Sequence, residues 1–301
     1  MFNLLIYYLV IMPVSRLPYR LLYAFADFIF LVLYRVAGYR KKVVRMNLQN
    51  SFPEKNTDEI QRLEVLFYKH FCDVIVETVK SFTMSRKDIL QRMVVLNPEL
   101  VNQYYDTGRS VFLCGGHFNN WEWIATGIDP QIRHQACALY KPLSNSFFEK
   151  KMKSTRGKFG LQMVRIHDAA VFFTTKKPEM TLTIFGIDQS PGHPDRCHWM
   201  SFLNQDTGVQ FGLEKFAREF NYPVIFGKLN KVKRGYYTLE LSLITDTPGH
   251  HPHGWIIETA TQRLEAEIVE APQYWLWTHK RWKHKRPEKM SILPMTNAEN
   301  D

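Results

Sequence analysis

The chain has 301 residues, with 39 Lys and Arg against 29 Asp and Glu and a net charge of +10 at pH 7. That length buries a sizeable core, most simply one large domain with an appended segment. The positive excess points to an anionic partner, and no nucleic-acid-binding module or zinc finger accompanies it, so nucleic acid is set aside. Four cysteines (Cys72, Cys114, Cys137, Cys197) form no CxxC pair, which fits a reducing compartment and argues against a zinc ribbon.

In chain order, residues 1–14 and 21–36 are strongly apolar, separated by Ser15-Arg16-Leu17-Pro18-Tyr19-Arg20. Neither reaches the roughly 18–20 uninterrupted apolar residues of a spanning helix, and no small-residue cleavage site marks a signal peptide. Dense Tyr, Phe and Leu with flanking arginines suit helices lying in one leaflet, a monotopic or single N-terminal anchor on the cytoplasmic face. Gly38 and Arg40-Lys41-Lys42 place a boundary near residue 40, giving a membrane-associating helical segment 1–40 and a domain 41–301. Helical spacing of Ile60, Leu63, Phe67, Phe71 and Val74 predicts a long helix over 57–82.

Beyond Gly108, β-rich runs at 110–114, 135–140, 162–166, 180–186, 223–229 and 236–244 alternate with helical patterns at 144–159, 168–175, 208–220 and 254–271. This alternation predicts an α/β fold, a layered, mostly parallel sheet flanked by helices.

The most informative run is Gly115-Gly116-His117-Phe118-Asn119-Asn120-Trp121-Glu122. It follows a predicted strand, where open α/β sheets place their chemistry. Asn119 or Asn120 can cap a helix starting near Trp121. With His117 in the loop and Glu122 in the first helical turn, the two side chains can converge as a base and its orienting carboxylate. The plainer alternative is a capping box closed by Glu122.

His117–Glu122 (HFNNWE) resembles the H-x4-D/E motif of the lysophospholipid acyltransferase superfamily, in the form HFGNWE of its lipid A late acyltransferase branch. Asn119 stands in place of the branch's glycine, and Asn is the non-Gly residue most tolerant of left-handed backbone angles. The resemblance extends over Asn47–Pro53 (N-L-x-x-x-F-P), Tyr140-Lys141-Pro142, Arg156, Asp188-Gln189 and the W-x-H-x-R-W-K run from Trp277. It implies His117 and Glu122 as the catalytic pair, with Arg156 beside them and Arg165 a rival for that place. It also implies Asn120, Tyr140, Lys141, Asp188 and Gln189 as substrate-binding residues. The tryptophans and basic residues of 275–287 are read as a membrane-interface stretch.

What the resemblance implies is a membrane-associated O-acyltransferase at the bacterial inner membrane. It moves a fatty acyl chain from acyl carrier protein to a hydroxyl of a lipid A precursor, with no cofactor and no metal. Transfer to another lyso- or amino-lipid would use the same residues. His167, Asp168, His193, Asp195 and His198 leave open a metal-dependent lipid hydrolase, and the basic surface a non-catalytic membrane scaffold.

Overall fold

The computed structural model describes residues 2–175 and 179–288. Met1 and residues 289–301, the two ends of the expected segments, lie outside the described residues. Seven strands make one sheet in the order β1-β9-β8-β2-β5-β3-β4. They are β1 Met93–Val95, β2 Val111–Gly115, β3 Gln135–Tyr140, β4 Gln162–Arg165, β5 Thr181–Gly186, β8 Val224–Lys233 and β9 Tyr236–Thr245. Every neighbouring pair is parallel except β8 with β9. The expected α/β layering is thus observed.

β2 is apolar throughout because both its faces are covered. Val111 and Leu113 join one buried cluster, Phe112 and Cys114 the other. From β2 the chain runs to β3 and β4 on one side. It then returns through β5, laid between β2 and β3, before crossing to β8 on the other side of β2. Such a reversal leaves a crevice at the carboxyl ends of β2 and β5.

A separate antiparallel hairpin, β6 Cys197–Phe202 and β7 Gln205–Gln210, corrects the expected helix start at Gly208, since the helix runs from Gly212 to Phe220. Its two turn residues, Leu203 and Asn204, both have positive φ (50° and 60°), as a two-residue hairpin turn of the primed type requires. Leu-Asn does not announce such a turn as Asn-Gly would, and the polar β7 reads as loop and helix start.

The long helix Thr57–Lys80 opens on a capping box formed by Asn56 and Glu59. Against it packs the helix Tyr19–Phe30, burying Leu22, Ala26 and Phe30 in the same cluster as Phe67 and Tyr68. Among the described residues no single helix is long and apolar enough to cross a membrane. Residues 19–36 and 41–51 pass that test only together, and they bend by 88°.

The C-terminal run departs from its sequence reading. Trp275, Trp277 and Arg281 are buried, not displayed at a surface. The indole of Trp277 donates to the Pro272 carbonyl, and that of Trp282 to Thr207 Oγ1. Asn47 of the N-L-x-x-x-F-P run donates to the carbonyls of Trp277 (2.9 Å) and His279 (3.0 Å), and Phe52 meets the Trp277 ring edge-on. These two distant signatures therefore fasten one another.

Candidate active site

Gly115 of β2 pairs with Gly186 of β5, and the Ile187 amide donates to the Gly115 carbonyl. Two residues beyond each glycine, this register sets His117 opposite Asp188. A Cβ on Gly116 would lie 2.6 Å from Leu264 Cδ1, so any side chain there would have to displace the Leu264 methyls. The loop then turns through Asn119 at φ 51°, the left-handed angle that asparagine accepts best among residues with a Cβ. Asn120 Oδ1 accepts from the Trp123 amide (3.1 Å) and caps the helix Trp121–Gly127.

His117 Nδ1 lies 2.6 Å from Asp188 Oδ1, and the His117 amide donates to Asp188 Oδ2 at 2.7 Å. The Trp275 indole gives Asp188 Oδ2 a further hydrogen bond at 2.8 Å. An ionised carboxylate only accepts, so Nδ1 carries the proton and Nε2 presents its lone pair. Gln189 Nε2 stands 3.1 Å from that lone pair and donates to it. The Ser190 amide donates to His279 Nε2, tying the far end of the Asp188 loop to the C-terminal run.

Burial by itself lowers the His117 pKa, but the Asp188 charge and hydrogen bond outweigh it, and the net shift is upward from the ordinary 6.5. Burial likewise raises Asp188, yet the His117 charge and the donated hydrogen bonds bring it down to about 2. The pair therefore stabilises the fold above the usual carboxylate range, an effect lost as pH falls towards 2. The His117 contribution runs the other way, present below its raised pKa and lost as pH climbs through it.

Glu122 does not hold His117, and here the expectation is corrected. Its carboxylate is taken in bidentate fashion by Arg156, from Nε at 2.9 Å and from the terminal nitrogen at 2.7 Å. Glu122 sits on a helix beside the crevice, whereas Asp188 shares the strand register of His117, so the sheet decides which carboxylate reaches the ring. No capping box forms either, since the capping side chain is that of Asn120. Arg156 keeps three N–H groups beyond those spent on Glu122, and both residues border the same cavity as His117.

That cavity measures about 400 Å³. Its apolar walls include Leu113, Ile124, Ala125, Ala138, Met163 and Ile184. Tyr140, Lys141 and Gln189 border it as well, whereas Arg165 does not. Two other expectations are displaced. Asn120 is fully buried behind the loop, where its amide donates to Glu77 Oε2 at 2.6 Å, and Asp188 is buried with its carboxylate filled by protein donors. Neither borders the cavity, so neither is placed to bind substrate directly. Among the described residues no three His, Cys, Asp or Glu side chains are grouped to hold a metal, and His198 pairs with Glu258 at 2.6 Å instead.

Sequence reasoning did not single out Glu77, Trp275 or His279 as parts of the site. Their signal was faint: a lone carboxylate among Val74, Val76 and Val79, and aromatics in a basic run.

The arrangement holds a neutral imidazole against a strong orienting carboxylate. It places a guanidinium beside an apolar cavity, as attack of a hydroxyl on an acyl carbonyl needs. Comparison with known proteins bears on the same point. A sequence model of the bacterial lipid A biosynthesis acyltransferase family matches residues 2–284, a span that includes every residue of the site. No curated protein matches the chain. The chain therefore belongs to the bacterial lipid A biosynthesis acyltransferase family, and it is an acyltransferase of lipid A biosynthesis.

Proposed function

We propose that the protein transfers a fatty acyl chain from acyl carrier protein to a free hydroxyl of a lipid A precursor. The observation that carries this reading is the His117 imidazole, fixed through Nδ1 by Asp188 so that Nε2 presents its lone pair as a base, met only by the Gln189 amide among the described residues. The acceptor hydroxyl takes the place of the Gln189 amide at Nε2 and loses its proton there as its oxygen attacks the thioester carbonyl. The oxyanion that forms lies against the free N–H groups of Arg156, which Glu122 holds in position. Collapse expels the thiolate, and the imidazolium returns its proton to it. Asp188 stabilises that imidazolium without taking the proton. Tyr140 and Lys141, which border the cavity, meet the acceptor.

The apolar cavity takes the acyl chain, each buried methylene contributing about 0.8 kcal/mol. The basic surface suits an acidic carrier and a phosphorylated lipid. Residues 1–40 seat the enzyme on the cytoplasmic face of the inner membrane. Supporting this, eleven of the nineteen exposed large apolar side chains among the described residues fall between Leu4 and Tyr39, a concentration that marks an interaction face.

The test combines purified protein, acyl carrier protein loaded with a C12–C16 chain and a tetra-acylated lipid A precursor, read by mass spectrometry of the lipid. One added acyl mass, lost in His117→Ala, is the expected result. No gain with folded enzyme would remove this donor–acceptor pair.

A further inference from the structure

Behind the site lies a buried carboxyl group that the reaction scheme leaves unused. Glu77, on the long helix Thr57–Lys80, is fully buried. It meets no cation at salt-bridge distance among the described residues but accepts three neutral hydrogen bonds. These come from Tyr23 Oη at 2.7 Å, Asn120 Nδ2 at 2.6 Å and Tyr237 Oη at 2.8 Å. The three donors arrive from the helix Tyr19–Phe30, the His117 loop and strand β9.

The Asn120 amide has two ends, and Glu77 decides which way round it lies. With Nδ2 held by Glu77, Oδ1 faces the Trp123 amide and caps the helix that carries Glu122. That helix has seven residues, too few to set its own direction, since isolated helices of this length do not persist. Its second hold is the Trp123 indole, which donates to the Glu77 carbonyl at 3.2 Å and to Ser81 Oγ at 3.1 Å. One turn of the long helix thus grips the short one at its cap and at its buried tryptophan.

We propose that Glu77 is a positioning residue that acts through Asn120 to aim the Glu122–Arg156 pair, with Tyr23 linking that aim to the seating of the helix Tyr19–Phe30. The inference rests on the proposed role of Arg156 in holding the oxyanion. If the aim is lost, the transition state suffers more than substrate binding, because of the apolar walls only Ile124 and Ala125 ride on this helix, whereas Leu113, Ala138, Met163 and Ile184 stand on strands.

The full-length protein supplies the test in two readouts. In the acyl-transfer assay, Glu77→Leu is expected to lower kcat at least tenfold with KM for the acyl donor changed less than about twofold. Glu77→Gln keeps an acceptor for Asn120 and Tyr237 and can donate to Tyr23, and it is expected to recover most of the rate. Should Glu77→Leu not fold, Asn120→Ser cuts the tie but keeps a capping oxygen, and it is expected to lower kcat likewise.

The second readout is amide hydrogen exchange without substrate, so it does not depend on the assigned reaction. Exchange over residues 121–127 is expected to quicken in Glu77→Leu or Asn120→Ser and to return to the original rate in Glu77→Gln. Unchanged kcat and exchange in Asn120→Ser would overturn the proposal. So would a loss in Glu77→Leu that falls on KM, or one that Glu77→Gln fails to recover. Altered exchange in an enzyme that transfers no acyl group would leave the aiming of the helix standing and reject the reaction instead.

Discussion

The molecule uses a carboxylate to hold a nitrogen base in two neighbouring regions, and the two are built differently. On the crest of the sheet, Asp188 holds His117, is itself buried, and takes three hydrogen bonds from His117 and Trp275. On the helical wall of the cavity, Glu122 holds Arg156, and both side chains keep some solvent access, 14% and 25%. The crest pair is fixed by strand register, so it has one geometry. The wall pair joins two helices and depends on how each is seated. In the proposed reaction the difference suits the two roles: proton transfer needs the rigid pair, while charge stabilisation tolerates a guanidinium that adjusts.

Mutations on each side would sharpen this contrast. Removal of the base in His117→Ala is expected to cost the most, about 10²–10⁴-fold in kcat, read from initial rates of acyl transfer. Asp188→Asn comes next, with a loss short of that in His117→Ala, and carries its own signature in pH. The imidazole works when neutral, so the acid limb of the wild-type pH–rate profile should have its midpoint above 6.5, in keeping with the raised His117 pKa. Without the Asp188 charge, burial prevails and the midpoint should move to lower pH even as the rate falls. A limb that stayed in place would break the assignment of the crest pair.

On the wall, Arg156→Ala is expected to lower kcat about 10²-fold, and Glu122→Gln about tenfold, because the guanidinium stays but loses its aim. Equal losses in Asp188→Asn and Glu122→Gln would erase the distinction between the pairs. The smallest effect is expected from Trp275→Phe, which removes one hydrogen bond from Asp188 and should slow the reaction about threefold, with the acid limb displaced slightly.

The same contrast explains what the sequence made legible. His117 and Glu122 could be picked out because they lie in one recognisable run, and Arg156, with Arg165 as its rival, only through the family resemblance. The partner of His117 could not, because it depends on which strand lies beside β2. Two spacings did hold the clue: Gly115-Gly116-His117 and Gly186-Ile187-Asp188 each put a polar residue two places beyond a strand-ending glycine. Asn119 was legible because a left-handed angle leaves few residue choices.

The main strands were readable from apolar runs, whereas β1, three residues long, and the hairpin turning on Leu203-Asn204 gave no pattern to read. The two ends of the chain teach a similar lesson. Both look membrane-directed in composition, yet Leu9, Phe28 and Val36 remain exposed while Trp275 and Trp277 are buried. Aromatic density alone does not tell a surface from a core.

The central claim is that Asp188, and not Glu122, sets the proton affinity of His117. The most direct test follows the His117 ring by NMR titration in histidine-labelled protein, comparing wild type with Asp188→Asn and Glu122→Gln. The account predicts a wild-type pKa above 6.5, a fall below it in Asp188→Asn, and a distinctly smaller fall in Glu122→Gln. A larger fall in Glu122→Gln than in Asp188→Asn would contradict it.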